Sequence, residues 1–134
     1  KVYFSAGYDF CHLVGEFPSG LDTTIFTFEC LEKAWKEANK RSEREHITSY
    51  MTNNPKLFKI GSIKPLNGLY HHRWVVDHPE DYEFAKAVYM GLEQLDNKFR
   101  WGDIITFLEH QSEVFALNSK IKRDEGYLKS VAQD

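Results

Sequence analysis

The junction at residues 73–81 constrains the fold more than any other part of the sequence. Its first four residues, Arg-Trp-Val-Val, have the aromatic and β-branched composition of a strand that is largely buried on both faces. Asp77 follows this run, and Pro79 then occupies a position that the first turn of a helix tolerates. Apolar residues spaced at three and four predict that the helix continues to Asn97. A strand thus delivers a carboxylate just before a proline-started helix.

Other segments also read as strands or helices. Strands are predicted within residues 8–14, at 23–26 and at 58–63 from their aromatic, β-branched and alternating residues. A further helix is predicted at 101–110, and the polar run 120–125 is interpreted as a surface tail. This mixture, with more helix than strand, indicates one α/β or α+β domain.

Two more helices are predicted in the first half of the chain. Thr27 can cap a helix over residues 28–38. That helix is expected to bury one apolar stripe, which consists of Phe28, Leu31, Ala34, Trp35 and Ala38. Ser42 and Glu45 have capping-box spacing, which predicts a second helix that ends at Asn53-Asn54-Pro55.

Composition limits the classes of function. The 134 residues are 42% hydrophobic and 15% aromatic, which is enough to bury the core of one domain. A net charge of -3 argues against a protein that binds nucleic acid through its phosphates. The sequence contains neither a long apolar window nor a secretory signal pattern, so we expect a cytoplasmic protein without a membrane span. Cys11 and Cys30 form no Cys-x-x-Cys pair and are expected to be reduced and buried.

Asp77 is the candidate residue with a chemical rationale of its own. The sequence contains no Gly-rich nucleotide loop, zinc-protease motif or nucleophile elbow. Ligands of α/β sheets bind at the carboxyl ends of strands, where the Asp77 carboxylate is a suitable ligand for Mg²⁺. The alternative is that Asp77 caps the helix or bonds to local backbone amides. His71 and His72 are interpreted as turn histidines, because adjacent residues on a strand point to opposite faces.

Four ordered motifs carry a family resemblance. They are Phe-Pro-Ser-Gly-Leu-Asp at 17–22, Phe-Glu-Cys-Leu-Glu-Lys-Ala-Trp at 28–35, Arg-Glu-His-Ile-Thr at 44–48 and Arg-Trp-Val-Val-Asp-His-Pro-Glu-Asp at 73–81. In this order they resemble the second half of the cytidylyltransferase-like family typified by spore coat polysaccharide biosynthesis protein F. Residues 121–127, Ile-Lys-Arg-Asp-Glu-Gly-Tyr, resemble that family's tail, so the similarity extends over nearly the whole chain.

The resemblance implies a fold and a reaction. Relatives include the acylneuraminate and 3-deoxy-manno-octulosonate cytidylyltransferases, which join CMP to an acidic sugar and release pyrophosphate. The implied fold is the carboxyl-terminal half of a three-layer α/β nucleotide-diphosphosugar transferase (Rossmann-like) fold, and such proteins are commonly homodimers. The family's amino-terminal signature, Gln-Ala-Arg-x-x-Ser-x-Arg-Leu-Pro-x-Lys, has no counterpart in the sequence. We therefore expect residues 1–134 to be a single-domain fragment that is inactive alone.

The resemblance also assigns site residues. Asp77 matches the acid that is expected to hold Mg²⁺ at the nucleotide phosphates. Glu45 and His46 match an Arg-Glu-His motif on the sugar side of the cleft, and Asp22 matches a Gly-Leu-Asp loop beside it. Local roles remain open: Glu45 can close a capping box with Ser42, Asp22 can shape a turn, and His46 can be a core histidine.

Four further positions bear on the assignment. Arg73 is interpreted as a structural ion partner, with a phosphate clamp as the alternative. The family usually has Glu at the position of Thr24, Pro at that of Ser49 and Thr at that of His78. These differences concern the identity of the sugar.

The resemblance therefore implies that the complete protein is a Mg²⁺-dependent cytidylyltransferase that uses CTP and an acidic sugar in surface polysaccharide biosynthesis. Two other functions stay open. One is a non-catalytic assembly module that dimerises through its aromatic surface. The other is half of a nucleotide-sugar glycosyltransferase on the same scaffold, because a fold does not fix its chemistry.

Overall fold

The computed structural model describes residues 6–64, 66–95 and 98–134, which divide into two compact units. The first unit combines the described residues up to Phe17 with residues 22–67 and 124–134. The second unit consists of residues 18–21 and 68–123. Residues 124–134 therefore belong to the same unit as the β-sheet of the protein.

The first unit contains a three-stranded sheet in the order β2-β1-β3. Its strands are β1 (Phe10–Leu13), β2 (Thr24–Phe26) and β3 (Ile60–Ile63). β1 is antiparallel to β2 and parallel to β3, with Cys11 opposite Gly61 in the parallel pair. The strands predicted within 8–14, at 23–26 and at 58–63 are thus confirmed in shortened form, and the described chain is a mixed α/β structure.

Helices occur in both units. They are α1 (Phe28–Glu37), α2 (Arg41–Glu45), α3 (Ser49–Asn53), α4 (Pro79–Leu92), α5 (Trp101–His110), α6 (Ser112–Ala116) and α7 (Glu125–Val131). Thr27 caps α1 as predicted, because its hydroxyl accepts a hydrogen bond of 3.1 Å from the backbone N–H of Cys30. The bounds of α5 are those predicted. A 3₁₀ turn at Glu93–Leu95 follows α4, and the predicted helix end at Asn97 lies outside the described residues.

The core of the first unit contradicts part of the stripe predicted for α1. Its buried members are Phe10, Cys30, Ala34, Tyr50, Met51 and Phe58. Phe28 and Trp35, by contrast, are 73% and 64% exposed. At about 100° per residue these two side chains lie roughly 140–160° around the helix from Cys30, so the face that packs on the sheet leaves them uncovered. The expectation that Trp35 belongs to the core is therefore wrong.

The second helix differs from its prediction. It begins at Arg41, with Lys40 rather than Ser42 as its N-cap residue, and residues 46–48 separate α2 from α3. Ser42 donates hydrogen bonds from its backbone N–H and its hydroxyl to the carboxylate of Asp134. The predicted capping box is wrong because a carboxylate far along the chain supplies the partner that Ser42 needs.

The chain after the polar run also has more structure than predicted. Residues 120–125 alternate between exposed and half-buried, but they lead into α7 rather than into a tail. α7 packs against α2 within the first unit. The polar composition of residues 120–125 gave no indication of the helix that follows them.

The second unit is built around the helices α4, α5 and α6. Its core consists of Phe84, Val88, Leu92 and Leu108, with Trp74 and Ile104 packed against it. Pro79 is the first residue of α4, as predicted. The described residues of both units contain no helix that is long and apolar enough to cross a membrane. Both cysteines are buried and free, which confirms that prediction.

The strand predicted at residues 73–76 is absent from the described structure. This segment forms only an isolated bridge between Ser19 and Arg73, and Val76 is 60% exposed. Gly20, with φ +101°, permits the bridge because a Cβ there would lie 2.3 Å from the Trp74 carbonyl oxygen. Ser19 alone pairs with the segment among the described residues, so strand-like composition is not sufficient to form a strand here.

Candidate functional site

A buried ion pair anchors the start of α4. Asp81, in the first turn of this helix, is fully buried. Both of its oxygens accept hydrogen bonds from Arg73, from Nε at 2.8 Å and from Nη2 at 2.9 Å. This two-point geometry is the strongest form of an arginine–carboxylate pair. The interpretation of Arg73 as a structural ion partner is confirmed.

Three more donors complete the surroundings of Asp81. Asn118 donates from Nδ2 to Oδ1 at 2.9 Å, and the backbone N–H groups of Asp77 and His78 each donate to Oδ2 at 3.1 Å. Burial by itself would raise the pKa of Asp81, but the hydrogen bonds from Arg73, Asn118 and the two backbone groups outweigh it and hold the pKa well below its usual value. Asp81 is therefore an ionised, structural carboxylate.

Asp77 has a different environment. Its side chain is 68% exposed, and among the described residues its Oδ2 accepts one hydrogen bond, of 3.1 Å, from Nη2 of Arg73. His78 is the N-cap residue of α4, and the backbone N–H groups at this helix start are bound by Asp81. The carboxylate of Asp77 is thus held from one side by an arginine and is open to solvent on the other.

The accessibility of these carboxylates determines whether they can bind Mg²⁺. Mg²⁺ usually takes one or two protein carboxylates and completes its shell with water and substrate phosphates. Residues 6–64, 66–95 and 98–134 contain no group of three or more His, Cys, Asp or Glu side chains that could hold a metal. Asp77 offers one accessible carboxylate, whereas Asp81 is engaged by Arg73 and Asn118. The arrangement fits an ion that is held mainly by substrate phosphates.

Glu45 and His46 meet at Ser130 of α7. The Ser130 hydroxyl donates to Oε2 of Glu45 at 2.8 Å, and its Oγ lies 3.2 Å from Nε2 of His46. The hydrogen bond from Ser130, opposed by burial and assisted by the charge of Arg41, lowers the pKa of Glu45. The ring of His46 also packs edge-to-face on Tyr127 at 5.4 Å. Glu45 therefore does not close a capping box, and these two predicted residues share one hydroxyl.

The four predicted site residues do not all lie in one unit. Asp22 is exposed and lies two residues before β2, and it belongs to the first unit with Glu45 and His46. Asp77 belongs to the second unit. The structure thus brings Glu45 and His46 together and positions Asp22 and Asp77 separately.

Sequence reasoning missed the residues that organise both sites. Asp81 could have been found, because an acid three residues after the N-cap residue is the second half of a capping box. Asn118 and Ser130 gave no local signal, since each acts on residues far away in the chain.

Similarity to known proteins bears on the family of the chain. No family model matches it. An uncharacterised protein of Methanocaldococcus jannaschii is 32% identical over 106 residues, which cover 78% of this chain and 43% of that protein. The solved structure of a cytidylyltransferase from Leptospira borgpetersenii serovar Hardjo-bovis matches with a TM-score of 0.75 and 26% identity. This similarity supports the cytidylyltransferase-like family.

Each match covers only part of the similar protein. The structural match covers 86% of this chain but 48% of the Leptospira chain. The chain therefore spans less than half the length of both proteins.

We predict that Asp81→Asn lowers the free energy of unfolding by about 3 to 5 kcal/mol, because it leaves the buried guanidinium of Arg73 without its main counter-charge. Urea unfolding at neutral pH measures this loss. Asp77→Asn, the same charge change on an exposed side chain, is the matched control and should change stability by about 0.5 kcal/mol or less. Equal losses in the two variants would contradict the structural role of Asp81.

The stability that Asp81 contributes to the fold decreases at low pH. Because folding lowers the pKa of Asp81, its contribution is present above the unfolded value of about 4 and disappears as the pH falls toward the folded value. The stability difference between the wild type and Asp81→Asn should therefore narrow below about pH 4.

Proposed function

We propose that this chain is the carboxyl-terminal half of a cytidylyltransferase that transfers CMP from CTP to an acidic sugar for surface polysaccharide biosynthesis. The observation that carries the proposal is the match to a cytidylyltransferase structure over 86% of the chain. The sequence motifs add the finer family, that of spore coat polysaccharide biosynthesis protein F, and its three-layer nucleotide-diphosphosugar transferase fold.

The extended segment 73–76 has features that support the presence of an amino-terminal half in the complete protein. It has strand-like composition, pairs only with Ser19 among the described residues and exposes Val76. A strand from an amino-terminal half would satisfy its backbone groups and cover its apolar side chains. The sequence also contains no counterpart of the family's nucleotide loop, so we propose that residues 1–134 alone do not turn over CTP.

Asp77 is the proposed ligand for Mg²⁺ at the CTP phosphates. In the reaction a sugar oxygen attacks the α-phosphorus, a new phosphorus–oxygen bond forms and pyrophosphate leaves. A bound Mg²⁺ would supply positive charge for the phosphates during this displacement. Arg73 orients the Asp77 carboxylate, and Asp81 neutralises Arg73, so that the local charge at Asp77 stays favourable for a cation.

Glu45, His46 and Asp22 are the proposed sugar-side residues. Glu45 can accept hydrogen bonds from sugar hydroxyls, and Nδ1 of His46, the ring nitrogen that does not face Ser130, can form a further hydrogen bond with a sugar hydroxyl. Ser130 fixes both side chains, because its hydroxyl donates to Glu45 and lies within hydrogen-bond distance of His46. The exposed Asp22 adds a further acceptor from its own loop.

We also propose that the protein is a homodimer, as the resemblance implies. A groove of about 390 Å³ in the first unit is lined by Phe28, Trp35 and Ile47, whose side chains are all exposed. Glu43 and Arg44 line the same groove with opposite charges. Two copies related by a two-fold axis can cover the aromatic side chains and pair these charges, because such an interface is self-complementary.

The metal assignment is tested by Asp77→Asn in the complete protein. We expect pyrophosphate release from CTP to fall by about two orders of magnitude or more, the effect of losing one key electrostatic group, with little change in stability. The matched control is Glu80→Gln, which removes an exposed carboxylate from the first turn of α4 and should keep the wild-type rate. A wild-type rate for Asp77→Asn, with unaltered Mg²⁺ dependence, would contradict the assignment of Asp77 as a Mg²⁺ ligand.

The dimer is tested by Trp35→Lys. Sedimentation equilibrium should show a dimer for the wild type and a dissociation constant raised at least tenfold for the variant, because a central aromatic residue usually contributes strongly to an interface. Tyr82→Lys changes an equally exposed aromatic residue outside the groove and should leave association unchanged. A monomeric wild type would rule out the dimer.

A further inference from the structure

Ser130 of α7 has three partners around one hydroxyl. Its Oγ lies 2.8 Å from Oε2 of Glu45, 3.1 Å from the carbonyl oxygen of Gly126 and 3.2 Å from Nε2 of His46. Ser130 itself is 3% exposed, whereas the side chain of Glu45 is 51% exposed and His46 is half-buried. The serine therefore contacts both proposed sugar-side residues but is not accessible to a substrate.

The arrangement of these side chains differs from that of a serine nucleophile. In a catalytic triad the histidine lies between the serine and the acid, so that it can take the hydroxyl proton. Here Ser130 lies between His46 and Glu45, and its hydroxyl donates to the carboxylate. Because the serine is also buried, it is suited to position its two neighbours and not to react.

The protons around Ser130 follow from its partners. A hydroxyl carries one proton, and the Glu45 carboxylate and the Gly126 carbonyl can only accept a hydrogen bond. If Ser130 donated to Nε2 of His46 instead, two oxygens without a proton between them would face each other at 2.8 Å, one of them on an ionised carboxylate. Nε2 of His46 therefore carries a proton and donates it to Oγ.

This assignment decides what the pair offers to a ligand. A neutral imidazole with its proton on Nε2 has a lone pair on Nδ1. Nδ1 of His46 has no hydrogen-bond partner among the described residues and is not sealed from solvent. The contacts of Glu45 with Ser130 and Arg41 both involve Oε2, which leaves Oε1 without a hydrogen bond from the described chain. Glu45 and His46 thus present two acceptors.

The charges around the pair do not favour a second carboxylate. Arg41 of α2, with Nε 3.6 Å from Oε2, already compensates Glu45, and Lys129 of α7 pairs with Glu125 at 2.7 Å. A sugar carboxylate beside Oε1 and Nδ1 would face a like charge and a lone pair, whereas sugar hydroxyls can donate to both.

We propose that Ser130 is a positioning residue that fixes the tautomer of His46, so that Glu45 and His46 bind hydroxyl groups of the sugar and not its carboxylate. The placement of a sugar at this pair rests on the proposed function. The new element is the part of the sugar that the pair recognises: its hydroxylated, uncharged part. The carboxylate of an acidic sugar then has its partner elsewhere in the complete protein.

The tautomer of His46 is measured by NMR of the ring nitrogens in the complete protein, at a pH where the same spectra show the ring to be neutral. We expect the proton on Nε2. His110 is the internal reference for the opposite tautomer, because its Nδ1 lies 2.9 Å from the Thr106 carbonyl oxygen and must donate to it. A His46 ring that carries its proton on Nδ1 would overturn the proposal.

Three variants test the role of Ser130 in this tautomer. Ser130→Ala should give a mixture of both tautomers of His46, because Nε2 loses its acceptor, and Ser130→Thr, which keeps a hydroxyl, should retain the wild-type form. The matched control is Ser119→Ala, which removes an exposed hydroxyl that donates to the Ala116 carbonyl oxygen and should change nothing at His46. An unchanged tautomer in Ser130→Ala would contradict the role of Ser130.

The ligand preference is tested with N-acetylneuraminic acid and 3-deoxy-manno-octulosonic acid, each compared with its methyl ester. We expect the Nδ1 signal of His46 to shift saturably with acid and ester alike, and Ser130→Ala to weaken the binding of both by a similar factor of about ten. Glu45→Gln, which changes an exposed side chain, gives the same comparison if Ser130→Ala fails to fold.

A shift with the acids alone, a loss of affinity confined to the acids, or no saturable shift with any of the four ligands would overturn the inference. Pyrophosphate release from CTP, measured in parallel, separates it from the proposed function. Turnover together with the wrong tautomer or a carboxylate-dependent shift refutes the inference alone. The expected tautomer and shifts without turnover refute the proposed function alone.

Discussion

The second unit depends on the buried contact between Arg73 and Asp81. Isolated charges are costly to bury, so this pair is tolerated only because every oxygen of Asp81 is hydrogen-bonded. Asn118 extends the network by also donating to the Arg73 carbonyl oxygen at 2.9 Å. The contact ties an extended segment, a helix start and a distant loop together, and it leaves Asp77 exposed beside them. Arg73, which Asp81 holds in place, thus positions Asp77, the proposed ligand for Mg²⁺.

Local pattern predicted much of the fold. The bounds of α5, the Thr27 cap and the proline start of α4 follow from interactions within a few residues, which the sequence contains in full. The predictions were wrong where the structure depends on residues that are distant in the sequence. Residues 73–76 have the composition of a strand, but a strand needs a neighbour, and the described residues provide only Ser19. Ser42 was assigned to a cap because its partner Asp134 lies far away in the sequence.

In the candidate sites, too, local motifs were informative and contacts between distant residues were missed. Asp77, Glu45, His46 and Asp22 came from motifs, whereas the groups that hold them in place did not. Ser130 acts across 85 residues on Glu45, and Asn118 acts across 37 residues on Asp81. Apolar periodicity likewise located the stripe of α1 without showing which part of it is covered. Phe28 and Trp35 remain exposed in the first unit, as Val76 does in the second.

The central claim is that this chain forms half of an enzyme that activates an acidic sugar with CTP. The most direct measurement is pyrophosphate release by the complete protein with each of the four ribonucleoside triphosphates and a panel of acidic and neutral sugars, in the presence of Mg²⁺. The account predicts release with CTP and an acidic sugar together, and none when either is omitted. Release that is equal for all four nucleotides, or no release with any acidic sugar, would contradict it.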